Sequence, residues 1–208
     1  MISLYFPIYD NTHLRTMAVE NNEASDIPKF LQKVELTKEN KDLIATLPST
    51  TLWPSRTIYL YNGFWHDTKQ LQGILNSQKH FNALDSDILL VTLPKSGTTW
   101  LKALTFAILY RKIYHPNSDL NKNQSHLHPL LISNPHDLVP FLEENLYIHE
   151  IIPDLSSFRS PRLFASHMPY VSLPESVKQS KCKIVYLCRN PKDMFISWWH
   201  FIRKVVSS

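Results

Sequence analysis

Leu89-Leu90-Val91-Thr92-Leu93-Pro94-Lys95-Ser96-Gly97-Thr98-Thr99-Trp100 decides the reading of the whole chain. An apolar, partly β-branched run ends in a short polar loop, and the loop runs straight into an apolar segment over residues 101–110. That order predicts a strand, a tight loop and a buried helix. Backbone N–H groups at such a helix start, with the positive end of the helix dipole behind them, favour an anion. Lys95 adds a full charge, Ser96, Thr98 and Thr99 add hydroxyl donors, and Gly97 lets backbone and anion approach closely. The guest these residues suit is a phosphate or sulfate group. The loop departs from the standard phosphate loop, in which two glycines precede Lys and Ser/Thr. Here the lysine comes first, which argues against an ordinary nucleoside triphosphate site. A Ser/Thr-rich helix cap with a solvated lysine is the plain structural alternative.

Composition bounds what the loop can serve. The chain has 208 residues, enough for one substantial core and one domain. The formal net charge of +4 is mildly basic and suits a small polyanionic ligand. No dense Lys/Arg stripe supports a nucleic-acid partner, and Lys178, Lys181 and Lys183 read as a solvated turn. Cys182 and Cys188 flank an expected strand, which puts them roughly 20 Å apart. A disulfide needs a much closer approach, so they read as reduced thiols of a cytoplasmic protein, and two cysteines so spaced make no zinc site. No apolar run approaches the roughly 18 residues of a membrane helix. The first ten residues lack a basic start and a cleavage site and are broken by Pro7, so they make a poor signal peptide. A cytoplasmic protein without membrane or nucleic-acid partners is expected.

Working outward along the chain, residues 1–27 read as a poorly ordered extension and residues 28–208 as one α/β domain. A short helix is expected over 38–47, a strand over 58–61, a turn at Asn62-Gly63 and a helix over 68–81 with Leu71, Ile74, Leu75 and Gln78 on one side. Asp85-Ser86-Asp87 turns into the central strand. His126, His128 and His136 invite a metal reading, but no carboxylate or cysteine completes a set near them, so they read as loop histidines and no metal is expected. A short helix should follow Pro140, with Phe141, Leu142 and Leu146 inward. Ser172 and Glu175 have capping-box spacing. Residues 162–165 and 183–188 read as strands. The final helix is the clearest, with Asn190 as N-cap, Pro191 at the first position, and Met194, Trp198, Phe201, Ile202 and Val205 at helical spacing. Strands alternating with helices imply a parallel sheet.

Lys95, His167 and Arg189 all fall at strand ends, where open α/β sheets bind ligands. Neighbouring strands would bring them to one rim. On its own His167 fits a core histidine equally well, and Ser197 fits a hydroxyl bonded to its own backbone as well as one that reaches the anion beside Arg189.

The string from Pro94 to Trp100 closely resembles the phosphosulfate-binding loop of the cytosolic sulfotransferases. Arg189-Asn190-Pro191-Lys192-Asp193 through Ser197 resembles that family's 3′-phosphate motif, and Ser166-His167 followed by Pro169 is similar to the segment with its catalytic histidine. The resemblance extends to Leu71-Gln72-Gly73, Phe81-Asn82-Ala83 and Asn134-Pro135-His136, covers roughly residues 43–203, and looks most like the plant flavonol and steroid branch. It implies a three-layer, P-loop-like α/β fold with a central parallel sheet flanked by helices. It implies a sulfotransferase that moves a sulfonate from 3′-phosphoadenosine-5′-phosphosulfate to a hydroxyl of a small flavonoid, steroid or other phenol or alcohol. Lys95, Ser96, Gly97, Thr98 and Thr99 would hold the 5′-phosphosulfate, Trp100 would stack on adenine, and Arg189 and Ser197 would bind the 3′-phosphate. His167 would be the general base, imidazole being suited by its near-neutral pKa, and Lys95 would stabilise the leaving oxygen without a metal. Some members carry Lys two residues before the histidine; Ala165 stands there, so no role is carried to it. The family continues beyond the second motif with further fold and a C-terminal dimer motif, so the resemblance implies a C-terminally truncated chain of open oligomeric state. A second reading follows from that: a nucleotide-binding remnant with weak or no turnover. A third, an unrelated P-loop phosphoryl-transfer protein, fits worst, since no acidic residue for Mg²⁺ is evident at a strand end.

Overall fold

A computed structural model describes residues 34–52, 56–114 and 128–206. The expected N-terminal extension, Trp53-Pro54 and His126 lie outside those residues. Helix α1 (Lys38–Ala45) starts at Thr37, whose hydroxyl accepts from the Asn40 N–H. Strands β1 (Ser49–Leu52), β2 (Arg56–Tyr61) and β3 (Phe64–Asp67) pair antiparallel in that order. Asn62 (φ 50°) and Gly63 (φ 82°) are both left-handed, as a two-residue hairpin turn needs. The sequence pattern predicts only β2 of these three strands. All of β1 is exposed, so no apolar alternation marks it; pairing with β2 makes it a strand.

Asp67 ends β3 and caps helix α2 (Thr68–His80), accepting from the Gln70 N–H at 2.9 Å. The central sheet consists of β4 (Ile88–Thr92), β5 (Leu163–Ser166) and β6 (Lys183–Leu187). All pairing is parallel and the spatial order is β5-β4-β6. Alternation along β4 divides the core into two layers. Leu89 and Val91 pack with Ile74 of α2, Phe81, Leu142 and Phe164 on one face. Leu90 packs with Phe106, Tyr110, Val139 and Phe141 on the other. This is the central parallel sheet with helices on both faces that the strand–helix alternation predicts. Arg162 fixes the start of β5 against that of β4. Its Nε and Nη2 donate to the two Asp87 carboxylate oxygens at 2.8 and 2.6 Å, in a buried setting.

Helix α3 (Thr98–Leu109) follows the loop after β4 and begins three residues earlier than its apolar segment. It is not buried all round. Leu104 and Ile108 are exposed, while the covered stripe runs through Thr98, Lys102 and Phe106. Two single-turn helices, α4 (Pro129–Ile132) and α5 (Pro135–Leu138), and a π-turn at Leu142–Leu146 lead toward β5. Phe141, Leu142 and Leu146 are buried, as their spacing predicts.

Helix α6 (Glu175–Gln179) is entered from Pro174, and Ser172 belongs to a preceding 3₁₀ turn. The expected capping box therefore does not form, because the helix cap is Pro174, two residues after Ser172. Helix α7 (Pro191–Val206) starts as predicted, with the Asn190 side chain accepting from the Lys192 N–H at 3.0 Å. Its expected inward face is only partly covered, Trp198 being 41% and Phe201 37% exposed. Phe195, Ile196 and Trp199 on the other side are exposed, as are Ile184, Val185 and Tyr186 of β6.

Candidate functional site

The strand register places the predicted site residues on one rim. Val91 pairs with Ser166 and Thr92 with Leu187, so β4, β5 and β6 end level. Lys95, His167 and Arg189 lie just beyond those ends, on the side where α/β sheets take ligands.

The loop from β4 to α3 has two left-handed residues, a backbone compatible with the anion cradle expected from the sequence. Gly97 sits at φ 110° and Lys95 at φ 64°. A Cβ on Gly97 would come no closer than 3.5 Å to Leu187 Cδ2, so conformation and not space selects glycine there. Lys95 holds its left-handed backbone at a cost of about 1–2 kcal/mol. Strain of this kind is characteristic of ligand clamps. Its Nζ lies 4.4 Å from the Phe201 ring centroid, which ties the loop to α7.

The hydroxyls of the loop differ in what they are free to do. Ser96 is buried and its Oγ has no hydrogen-bond partner among the described residues. Such an orphaned donor costs about 1–3 kcal/mol, an expense that an accepting guest would offset. Thr98 Oγ1 bonds to Thr92 Oγ1 at 2.7 Å. Thr99 is exposed, and its Oγ1 lies 2.9 Å from His136 Nε2. Trp100 is 83% exposed and so offers an open ring face.

His167 is oriented by its surroundings. Its Nδ1 lies 2.6 Å from the Thr92 carbonyl oxygen. A carbonyl only accepts, so Nδ1 carries the hydrogen and Nε2 keeps its lone pair. The His167 N–H donates to Glu143 Oε1 at 2.5 Å, and the ring lies 4.6 Å from that of Phe141. Burial pushes the imidazole pKa down to about 4, against the pull of the Thr92 carbonyl; Lys102 and His136 depress it further. The near-neutral value expected from imidazole alone is thus displaced by desolvation. We predict that the His167 ring protons titrate near pH 4 in an NMR series; a midpoint near 6.5 would contradict this geometry. The unfolded chain binds the proton more readily between those values. The His167 contribution to stability is therefore complete above about pH 6.5 and is lost as the pH falls toward 4.

Two ionisable groups around His167 escape the sequence reading. Lys102 is fully buried, with Nζ 3.1 Å from His136 Nδ1 and 3.2 Å from the Phe141 ring centroid. Burial brings its pKa down to about 7. Glu143 is fully buried, and its carboxyl is pushed up to about 8 by desolvation; Oε2 has no hydrogen-bond partner among the described residues. The signal was present for Lys102, four residues after Thr98 and alone in charge within an apolar run. Glu143 gives no comparable cue.

The remaining predicted residues fall as follows. Arg189 is exposed at the mouth of α7, and Ser197 is half-buried two turns on. Phe141, expected to face inward, walls the His167 side. His128 caps α4, its Nδ1 accepting from the Leu130 N–H.

Comparison with known proteins matches the sulfotransferase domain to residues 85–208. Cytosolic sulfotransferase 15 of Arabidopsis thaliana is 44% identical over 206 residues, covering 99% of this chain and 56% of that protein. Cytosolic sulfotransferase 12 of the same plant is 53% identical over 184 residues, covering 88% and 54%. A solved Arabidopsis structure, described as a candidate steroid sulphotransferase, superposes with a TM-score of 0.69 at 51% identity, covering 86% of this chain and 61% of that one. The chain spans about half the length of the curated relatives it matches. No helix among the described residues is long and apolar enough to cross a membrane.

Proposed function

We propose that this chain, which belongs to the sulfotransferase family, moves a sulfonate from 3′-phosphoadenosine-5′-phosphosulfate to a hydroxyl of a small flavonoid, steroid or other phenol or alcohol. One observation carries the reading. A single rim holds an anion cradle with an orphaned buried hydroxyl, a histidine with a free Nε2, and an exposed arginine at a helix start. Lys95, Ser96, Gly97, Thr98 and Thr99 hold the 5′-phosphosulfate, through loop N–H groups other than that of Ser96, which donates to the Leu93 carbonyl, and through the Ser96 hydroxyl. Trp100 stacks on adenine, and Arg189 and Ser197 take the 3′-phosphate.

His167 Nε2 accepts the proton of the acceptor hydroxyl. The acceptor oxygen bonds to sulfur as the bond from sulfur to the phosphate oxygen breaks, and adenosine 3′,5′-bisphosphate leaves. Lys95 stabilises the negative charge that develops on the leaving oxygen. The protein supplies this electrophilic help without a metal. The curated relatives are named as cytosolic enzymes, and the cytoplasm is the compartment proposed here.

The donor reading is tested by calorimetry with two nucleotides. Wild type should bind adenosine 3′,5′-bisphosphate more tightly than adenosine 5′-monophosphate. Arg189→Met should remove about 10–100-fold of that preference, the worth of hydrogen bonds to a charged group. Equal affinity of wild type for the two nucleotides would count against a 3′-phosphate site. A second reading, nucleotide binding with little turnover, draws on the open apolar faces of β6 and α7 beside the 3′-phosphate residues. It predicts the same binding preference without transfer.

A further inference from the structure

We infer that His136 and Lys102 are positioning residues of the donor site, aligned so that the Thr99 hydroxyl points its hydrogen at the 5′-phosphosulfate. This inference rests on the reading of the loop as a phosphosulfate cradle. His136 reaches from α5 to α3, with Nε2 2.9 Å from Thr99 Oγ1 and Nδ1 3.1 Å from Lys102 Nζ. An ammonium has hydrogens to give and no lone pair to offer. Protonated Lys102 therefore donates to Nδ1, which places the imidazole hydrogen on Nε2. Nε2–H then donates to Thr99 Oγ1. A hydroxyl has a single hydrogen, and with its oxygen already accepting, that hydrogen is left for a guest. The row of donors runs from the buried amine to the exposed mouth of the loop.

The surroundings keep this polarity. Burial, and then the Lys102 charge, lower the His136 pKa, so the ring stays neutral and can accept at Nδ1. Burial dominates and lowers the Lys102 pKa to about 7, while Glu144, Glu143 and Asp137 oppose that shift and favour the charged form. The Phe141 ring, 3.2 Å from Nζ to centroid, holds the amine from the other side. Lys102 has no exposure to solvent. A fully buried lysine beside an anion loop, with its hydrogen bond directed at that loop through one imidazole, has a clear use there. His136 itself sits at the start of α5, fixed by its N–H donating to Asn134 Oδ1 at 2.9 Å.

The test compares binding of adenosine 3′,5′-bisphosphate with adenosine 3′-monophosphate, which lacks the group that Thr99 would meet. In wild type the bisphosphate should bind more tightly. His136→Leu should reduce that ratio about tenfold while 3′-monophosphate affinity stays within about twofold. His136→Gln, whose amide nitrogen can occupy the place of Nε2, should restore the ratio to within about threefold of wild type. His136→Asn keeps an acceptor for the buried Lys102 but has no donor that reaches Thr99. It should behave like His136→Leu, and it preserves the test if the leucine variant does not fold. Thr99→Val should lower the ratio by a similar factor, and adding His136→Asn to it should change nothing further. If wild type does not prefer the bisphosphate, the cradle reading fails and takes this inference with it. If wild type prefers it and the His136→Asn ratio is unchanged, or His136→Gln is no better than His136→Leu, the positioning role alone is overturned.

Discussion

Replacing His167 by alanine should lower sulfonate transfer by about 10²–10⁴-fold, the usual worth of a positioned general base, with adenosine 3′,5′-bisphosphate affinity little changed. The expectation follows from where the proton has to go. His167 Nδ1 is committed to the Thr92 carbonyl, so Nε2 has the free lone pair. The neighbouring Lys102 amine is held by His136 and Phe141, and Glu143 already accepts the His167 N–H. A pKa near 4 makes the imidazole a weak base in the free protein. It also keeps the ring fully unprotonated at neutral pH. Bound donor brings negative charge to the rim and raises that pKa toward a more useful value. The decrease should appear in kcat, because the lost interaction belongs to the transition state. A loss smaller than tenfold, with binding intact, would mean that another group takes the proton.

Gly73→Ala should destabilise the fold by about 3 kcal/mol or more, at the upper end for overpacked cores. A Cβ at this position would lie 1.8 Å from the Glu143 carbonyl oxygen and 2.7 Å from its carbonyl carbon. Both obstacles are backbone, so no side-chain rotation relieves the overlap. Either α2 or the π-turn must move, and the packing of Ile74 against Leu142 and Leu146 loosens with it. The same turn carries the Glu143 carboxyl that fixes the His167 N–H. The substitution should therefore depress transfer as well as stability. Urea unfolding measures the first effect; an unchanged midpoint would show that the two segments are not in this contact. Gly63→Ala makes the contrast, since nothing lies within 4 Å and only its left-handed backbone is at stake, at about 1 kcal/mol.

The elements legible in the sequence were those whose own residues determine them. Apolar runs marked β4 and β6, helical spacing marked α2, and Asn62-Gly63 marked its turn. Asn190 with Pro191 marked the start of α7. What escaped was set by distant partners. β1 is a strand because β2 lies beside it, and nothing in Ser-Thr-Thr-Leu announces that. Ser172 has the right spacing for a cap, but a 3₁₀ turn uses it otherwise. In the candidate site, the places of Lys95, His167 and Arg189 just beyond strand ends were legible because loops after strands follow from local pattern. Their common rim depended on the order β5-β4-β6, which only the sheet provides. Lys102 and Glu143 were missed because burial of a charged residue is decided by what packs over it. The displaced pKa of His167 has the same origin: its position was readable, its dielectric surroundings were not.

The most direct test is transfer of ³⁵S-labelled sulfonate from 3′-phosphoadenosine-5′-phosphosulfate by the purified chain, across a panel of flavonoids, steroid alcohols and simple phenols. Labelled sulfated product should form in equal amount with adenosine 3′,5′-bisphosphate, without added metal, and should vanish with His167→Ala. No labelled product from any acceptor, with the folded chain binding adenosine 3′,5′-bisphosphate, would contradict transfer and leave nucleotide binding as the activity of this chain.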